Sequence, residues 1–368
     1  MTSEKFIPGR ELSVRFYTEA VRPILDVHAA GIPYAAALVG PGSDVLGFDT
    51  PRSMDHDWGP RLTLFLPEAG FEADAARLDE MLLRDLPDTV AGFPTRFREF
   101  ANDPGIVHMA TRGGEGPLAH RVRITTVPAF LRETIGVPAA DDLDAASWMA
   151  IPGQVLLEVT GGAVFHDEPG DLTAARGALA WYPDDVWRYR LAAAWKRIAQ
   201  VEPFVGRAGE VDDDLGSHVI AMSMVRDIMH LALLQERRYA PYSKWLGTAF
   251  SRLEVAGEID PLLDSARFAR SWSERERGIV EALAILGTRQ NDLGLSVAVD
   301  PTPRPFFDRP FMVVDAERFA NALDEAITDP AVKALPRHLG GIDQFVDSTD
   351  ALVSRELRDA IRTWMGDG

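Results

Sequence analysis

The stretch Gly42-Ser43-Asp44-Val45-Leu46-Gly47-Phe48-Asp49-Thr50-Pro51-Arg52-Ser53-Met54-Asp55-His56-Asp57-Trp58-Gly59 decides how the N-terminal half is read. Before it, Tyr34 to Val39 is a short apolar run between turn residues, the pattern of a buried strand. Gly40-Pro41-Gly42-Ser43 then makes a turn at the end of that strand. A second strand is expected over Asp55 to Leu66, where Leu62, Leu64 and Leu66 alternate; Pro60 confines it to an edge or interrupts it. On a strand, Asp55 and Asp57 share one face and His56 takes the other, where it reads as a packed histidine. Two carboxylates side by side repel unless a cation lies between them. Oxygen-only donors suit Mg²⁺, which is commonly held by one or two carboxylates together with substrate phosphates. The Gly42-Ser43 turn offers backbone N–H groups and a hydroxyl to a phosphate. These parts suit metal-assisted nucleotidyl transfer, with the ion offsetting phosphate charge. Asp44 and Asp49 read as turn formers.

Outward from this stretch, residues 9–30 have helical periodicity, with Pro23 as a kink. Glu72 to Leu86 reads as an amphipathic helix, followed by a polar, Gly-rich segment. Arg121 to Val127 and Gln154 to Thr160 read as third and fourth strands, the latter ended by Gly161-Gly162. Beyond about residue 170 the pattern becomes helical: 184–201, 212–238, 242–253, 273–287, 315–327 and 350–365. The expected class is α+β, with a mixed sheet and helices over 1–170 and an all-helical domain over 171–368.

The chain has 368 residues, of which 38 are basic and 56 acidic, a net charge of −18. That field repels polyanions, so duplex nucleic acid is not expected as a partner. With no cysteine, disulfides, thiolate metal sites and cysteine nucleophiles are excluded. No apolar run approaches the ~20 residues that cross a bilayer, and Met-Thr-Ser-Glu-Lys does not read as a signal peptide. A cytoplasmic protein without membrane partners is expected. Phosphate loops ending in Gly-Lys-Ser/Thr, dinucleotide fingerprints, Gly-x-Ser-x-Gly elbows and His-x-x-x-His spacings do not occur.

The Gly-Ser turn, the gap of about ten residues and the Asp-x-Asp pair together resemble the signature of the DNA polymerase beta-like nucleotidyltransferase superfamily. The small-molecule branch of that superfamily, which includes the antibiotic nucleotidyltransferases, likewise puts this domain first and a helical domain second. Gly42–Gly59, Trp181–Trp187 and Arg238–Trp245 resemble more closely an uncharacterised bacterial family within it. The resemblance implies that Gly42 and Ser43 seat a nucleoside triphosphate, ATP being the expected donor. It implies that Asp55 and Asp57 hold Mg²⁺ and that the acceptor is a small molecule. A third carboxylate is often found on a neighbouring strand, where it serves as base. Here the corresponding strand reads His120-Arg121-Val122-Arg123-Ile124-Thr125-Thr126 and has arginines instead. Asp103, Glu115, Glu158 and Asp167 are the candidates to enter from elsewhere. The alternative is a degenerate nucleotide-binding or regulatory protein without transfer chemistry.

Three further features concern the helical half. Tyr239-Ala240-Pro241-Tyr242-Ser243-Lys244-Trp245 gathers aromatics around one of only four lysines. Lys244 reads as a β/γ-phosphate contact and Tyr242 as a stacking platform, or the block is a helix junction with Pro241 at a helix start. The Trp181–Trp187 block and Trp195 read as core. Glu202 is a candidate acceptor-activating base and Arg207 a candidate phosphate contact.

Overall fold

The computed structural model describes residues 6–55, 58–100, 103–110 and 118–366. The fold is mixed α+β, and the chain divides into two compact units. The first comprises Met1–Asp142 and Val155–Ala180, and the second Leu143–Gln154 and Trp181–Gly368.

The first unit opens with a helical run: α1 (Gly9–Arg15), a π-helical turn over Phe16–Val21 and α2 (Arg22–His28). Pro23 explains the widened turn, because it has no N–H to continue the ladder and its ring crowds the carbonyl four residues back. Strand β1 (Ala35–Leu38), helix α3 (Ser43–Leu46), a 3₁₀ turn over Pro51–Asp55 and strand β2 (Leu62–Phe65) follow. Helix α4 (Phe71–Asp85) leads to two antiparallel pairs, β3 (Thr89–Val90) with β4 (Phe93–Pro94) and β5 (Arg96–Phe100) with β6 (Asp103–Ala110). The segment read as polar and Gly-rich therefore contains strands. Strand β7 (Val122–Thr125) and helix α5 (Val127–Ile135) come next, the helix capped by the Thr126 hydroxyl accepting from the Ala129 N–H.

Helix α6 (Ala145–Ala150) belongs to the second unit, and the chain crosses back within α7 (Gly153–Thr160). The strand expected over Gln154–Thr160 is thus a helix. Strand β8 (Ala163–Asp167) follows it, then α8 (Asp171–Ala178). The main sheet has the order β7-β2-β1-β8. β1 runs antiparallel to β2 and β8, whereas β2 and β7 are parallel, with Leu62 opposite Val122 and Leu64 opposite Ile124. The β2-to-β7 link is the long connection that a parallel pair requires. Phe16, Val21, Leu62, Leu64, Leu78, Leu82 and Val122 share one core on this sheet. Fully burying each such leucine contributes about 1.5–3 kcal/mol, so this face dominates the unit's stability.

The second unit continues with α9 (Asp184–Val201), α10 (Phe204–Glu210), α11 (Asp214–Gln235), α12 (Ser243–Phe250), α13 (Ala256–Phe268) and α14 (Trp272–Asp292). A short hairpin of β9 (Arg304–Pro305) and β10 (Met312–Val313) interrupts the helices, so this half is not all-helical. Then come α15 (Glu317–Ala326), α16 (Pro330–Lys333), α17 (Ile342–Phe345), α18 (Thr349–Val353) and α19 (Arg355–Gly366). On α9, Val186, Tyr189, Leu191, Ala194, Trp195 and Ile198 recur at helical spacing and are all buried. Trp195 stacks on Phe319 at 4.4 Å between ring centroids and donates to Gln290 Oε1 at 3.0 Å. Trp187 donates to the Leu234 carbonyl at 2.9 Å. Among the described residues, only α11 is long and apolar enough to cross a membrane. Half of that apolar stretch is buried inside the protein, as in a core helix.

Candidate functional site

The Gly42-Ser43 turn stands at the end of β1, as its sequence implies. Gly42 has φ 140° and ψ 143°, a conformation reserved for glycine. A Cβ there would lie 2.3 Å from both Arg61 Nη2 and Asp44 Oδ1. Asp44 is not a simple turn former. It is 2 % exposed, and its carboxylate receives Arg61 through two bonds, Nε to Oδ2 at 2.9 Å and Nη2 to Oδ1 at 2.6 Å. The same Nη2 reaches the Pro41 carbonyl at 2.8 Å. One guanidinium therefore grips both sides of Gly42-Ser43 while Gly42 itself faces solvent. The far side is fastened too: Gly40 N–H donates to the Glu158 carbonyl at 2.7 Å, and Gly162 N–H to the Val45 carbonyl at 2.8 Å. Fixed backbone of this kind can present amides to an anion without reorganising.

Asp49 also has a structural task. Its Oδ2 accepts from Gly9 N–H at 2.7 Å, at the start of α1, and from Trp58 Nε1 at 3.2 Å. Trp58 is 4 % exposed and packs edge-on against Phe93 at 5.2 Å. The residue after the Asp-x-Asp pair is thus anchored to the loop that follows the Gly-Ser turn. Arg61, Trp58 and Gly9 do not stand out in the sequence. The available signal is the proximity of Trp58 and Arg61 to the two aspartates along the chain.

The expected strand from Asp55 is corrected. Asp55 closes the 3₁₀ turn that Pro51 opens, and β2 begins only at Leu62. Gly59 at φ 139° and Pro60 separate the two. Strand alternation therefore does not set Asp55 beside Asp57. The Asp55 side chain, and His56 and Asp57 entire, lie outside the described residues. By donor chemistry, two aspartates fit Mg²⁺ as hard oxygen ligands. No group of three or more metal-ligating His, Asp or Glu side chains occurs among the described residues.

One strand beside β2 is β7, the one read as the place for a third carboxylate; it carries Arg123, and Arg121 immediately precedes it. Arg123 pairs with Glu133, and Arg121 lies 5.5 Å from the Phe97 ring centroid. Asp167 is occupied at the start of α8, accepting from Gly170 N–H at 3.0 Å and Thr173 N–H at 2.7 Å. Glu158 sits on α7 and Asp103 on β6; Glu115 lies outside the described residues.

In the second unit, Glu202 is 5 % exposed and accepts from Val314 N–H at 3.1 Å and Ala316 N–H at 2.9 Å. Burial raises its pKa to about 7 against the lowering effect of those amides. It holds the loop before α15, so the reading of Glu202 as an acceptor-activating base is set aside. Arg207 is exposed, over the Phe204 ring at 5.5 Å. Tyr242 precedes α12 as its N-cap residue, its N–H donating to Gln154 Oε1 at 3.2 Å. Lys244 is exposed on the first turn, its Nζ 5.0 Å from the Trp245 ring centroid. Tyr239 packs on Trp181 and Tyr182 at 4.9 and 5.0 Å, so this part of the aromatic block is core. Gly42 and Ser43 belong to the first unit, Tyr242 and Lys244 to the second.

Residues 148–246, from α6 to α12, match a domain of unknown function, DUF4037. No curated protein and no solved structure matches the chain.

Proposed function

We propose that the protein is a Mg²⁺-dependent nucleotidyltransferase that moves a nucleoside monophosphate from a triphosphate, ATP being the expected donor, to a small-molecule acceptor. The observation that carries this reading is the solvent-facing Gly42-Ser43 turn gripped by the Arg61–Asp44 pair, with Arg61 four residues beyond Asp57 in the chain. An acceptor oxygen attacks the α-phosphorus, the bond to the bridging oxygen breaks, and pyrophosphate leaves. The turn seats phosphate oxygens through its amides and the Ser43 hydroxyl. Asp55 and Asp57 would hold Mg²⁺, which when bound offsets phosphate charge.

Arg123 on β7, in the place of an acid beside β2, favours a second reading: nucleotide binding without transfer. Calorimetric titration with MgATP, followed by the other MgNTPs, tests both. Metal-dependent binding that is lost in Asp55→Asn/Asp57→Asn supports a nucleotide site. Pyrophosphate release with an acceptor pool then selects transfer, and its absence selects the second reading. No binding of any MgNTP by folded protein overturns both.

A further inference from the structure

The second unit has a cavity of about 170 Å³, open to solvent on one side and bordered by α9, α11, the start of α12 and the segment carrying α17 and α18. Pro241, Leu246 and Leu352 give it an apolar side, and Arg197, Arg226 and His230 a polar one. The acids on its wall are already engaged. Asp227 accepts from Arg197 Nε at 2.9 Å. Asp343 accepts from Gly153 N–H at 2.8 Å and also from Arg190. Asp347, 83 % exposed on the rim, meets Arg226 Nη1 at 3.2 Å.

The donors are not used up. Arg197 commits Nε to Asp227 and Nη1 to the Gln344 carbonyl at 3.0 Å, which leaves Nη2. Among the described residues, Arg226 commits only Nη1, leaving the rest of its fork. Tyr242 and Ser243 border the same space at the start of α12, where no side chain caps the helix. His230 stays neutral near pH 7, because burial pulls its pKa down to about 4. The unspent groups that carry charge of one sign and a fixed two-bond geometry are the guanidinium N–H groups of Arg197 and Arg226, and a ligand that brings acceptor oxygens satisfies them.

We propose that this cavity binds a small molecule with an apolar body and an oxyanion head, a carboxylate or a phosphate monoester. A guanidinium fork matches either head in a planar, two-bond geometry. The volume is close to the roughly 150 Å³ of an apolar cavity that holds benzene, which sets the size of the body. The head would take over Arg226 from Asp347, because an exposed ion pair of this kind is worth little. The site lies wholly in the second unit and needs neither metal nor nucleotide.

The test is calorimetric titration of the whole chain, without metal or nucleotide, with benzoate, phenyl phosphate, benzamide and benzylamine. Benzoate or phenyl phosphate is expected to bind at one site at least about tenfold more tightly than benzamide or benzylamine, a difference of about 1.4 kcal/mol. Arg226→Gln, at a side chain 39 % exposed, should fold normally and weaken binding about tenfold or more. Leu352→Trp should fill the cavity and abolish binding. Asp55→Asn/Asp57→Asn should leave it unchanged, so its outcome stands apart from that of the nucleotide site. No binding of either anion, equal binding of benzamide, or full affinity in folded Arg226→Gln overturns the proposal.

Discussion

Arg61 meets Asp44 edge to edge, with Nε 2.9 Å from Oδ2 and Nη2 2.6 Å from Oδ1. The two side chains are 11 % and 3 % exposed, so the pair is nearly dry. Removing one partner of such a pair strands the other charge, at a cost of about 3–5 kcal/mol. Asp44→Ala should destabilise the first unit by that order, and Arg61→Lys by less, because charge survives while the fork is lost. Urea unfolding measures both. A loss below about 1 kcal/mol in Asp44→Ala, the range of an exposed pair, would mean that the pair does not hold the turn.

Gly42→Ala probes the same turn from the backbone. The new methyl would sit 2.3 Å from Arg61 Nη2 and Asp44 Oδ1, at a φ of 140°. Strain of about 1–3 kcal/mol is expected, along with displacement of Arg61. The thermal transition should fall while circular dichroism stays native, and MgNTP binding should be lost. Unchanged MgNTP affinity would remove Gly42 from the proposed site.

Much of this arrangement is legible in the chain. Tyr34–Val39 announces β1 by its apolar run, and α9 announces its inward positions by period. What is not legible depends on contacts distant in sequence. The run Val155-Leu156-Leu157-Glu158-Val159 has the length and residue types of a strand, and short apolar runs suit either element. Its environment settles it as a helix. Gly162 takes φ 65°, and a Cβ there would lie 1.8 Å from the Leu38 carbonyl, so the chain passes tightly beside β1 before β8 starts. Strand β8 itself, Ala163-Val164-Phe165-His166-Asp167, is half-buried throughout and shows no alternation to read. Asp44, Asp49 and Glu202 offer only their residue types, because Arg61, Trp58 and the 314–316 amides that occupy them are tertiary partners. The same holds for the cavity, whose wall joins residues 152–246 to 343–352.

Gln290 ties together the middle of the second unit. Its Oε1 accepts from Trp195 Nε1 at 3.0 Å and from Gln235 Nε2 at 3.3 Å, and Gln290 is 1 % exposed. Gln290→Leu keeps the volume but leaves the indole N–H without its acceptor in a dry core. A buried donor left unmade costs about 1–3 kcal/mol, so a loss of that size is expected in chemical denaturation. Trp195→Phe in the same background should then add little hydrogen-bond penalty, which a double-mutant cycle reads as coupling between the two residues. Strict additivity would show that the bond contributes nothing.

The second unit carries opposed proton linkages, which separate by pH. Glu276, 5 % exposed, accepts from Met312 N–H at 2.5 Å, and burial raises its pKa from 4.5 to about 7 against that bond. The folded state therefore holds this proton more tightly than the unfolded chain. Its contribution is complete below about pH 4.5 and is lost as pH rises through 7, by about 3 kcal/mol across the window. Asp185 runs the other way. Burial raises its pKa, but the Asp329 and Thr328 amides, at 2.6 and 2.9 Å, outweigh it and hold the group at about 2. Its contribution is present above 3.8 and is lost as pH falls through 2. Urea unfolding of the whole chain from pH 2 to 8 should show Glu276→Gln reducing the slope between 4.5 and 7, where Glu202 keeps its own share, and Asp185→Asn reducing it below 4. Gln is the informative replacement at 276, since an amide oxygen can still accept the Met312 bond while the titration is gone. If Glu276→Gln tracks the parent between pH 4.5 and 7, the carboxyl is not held as a buried acid and its grip on β10 is wrong.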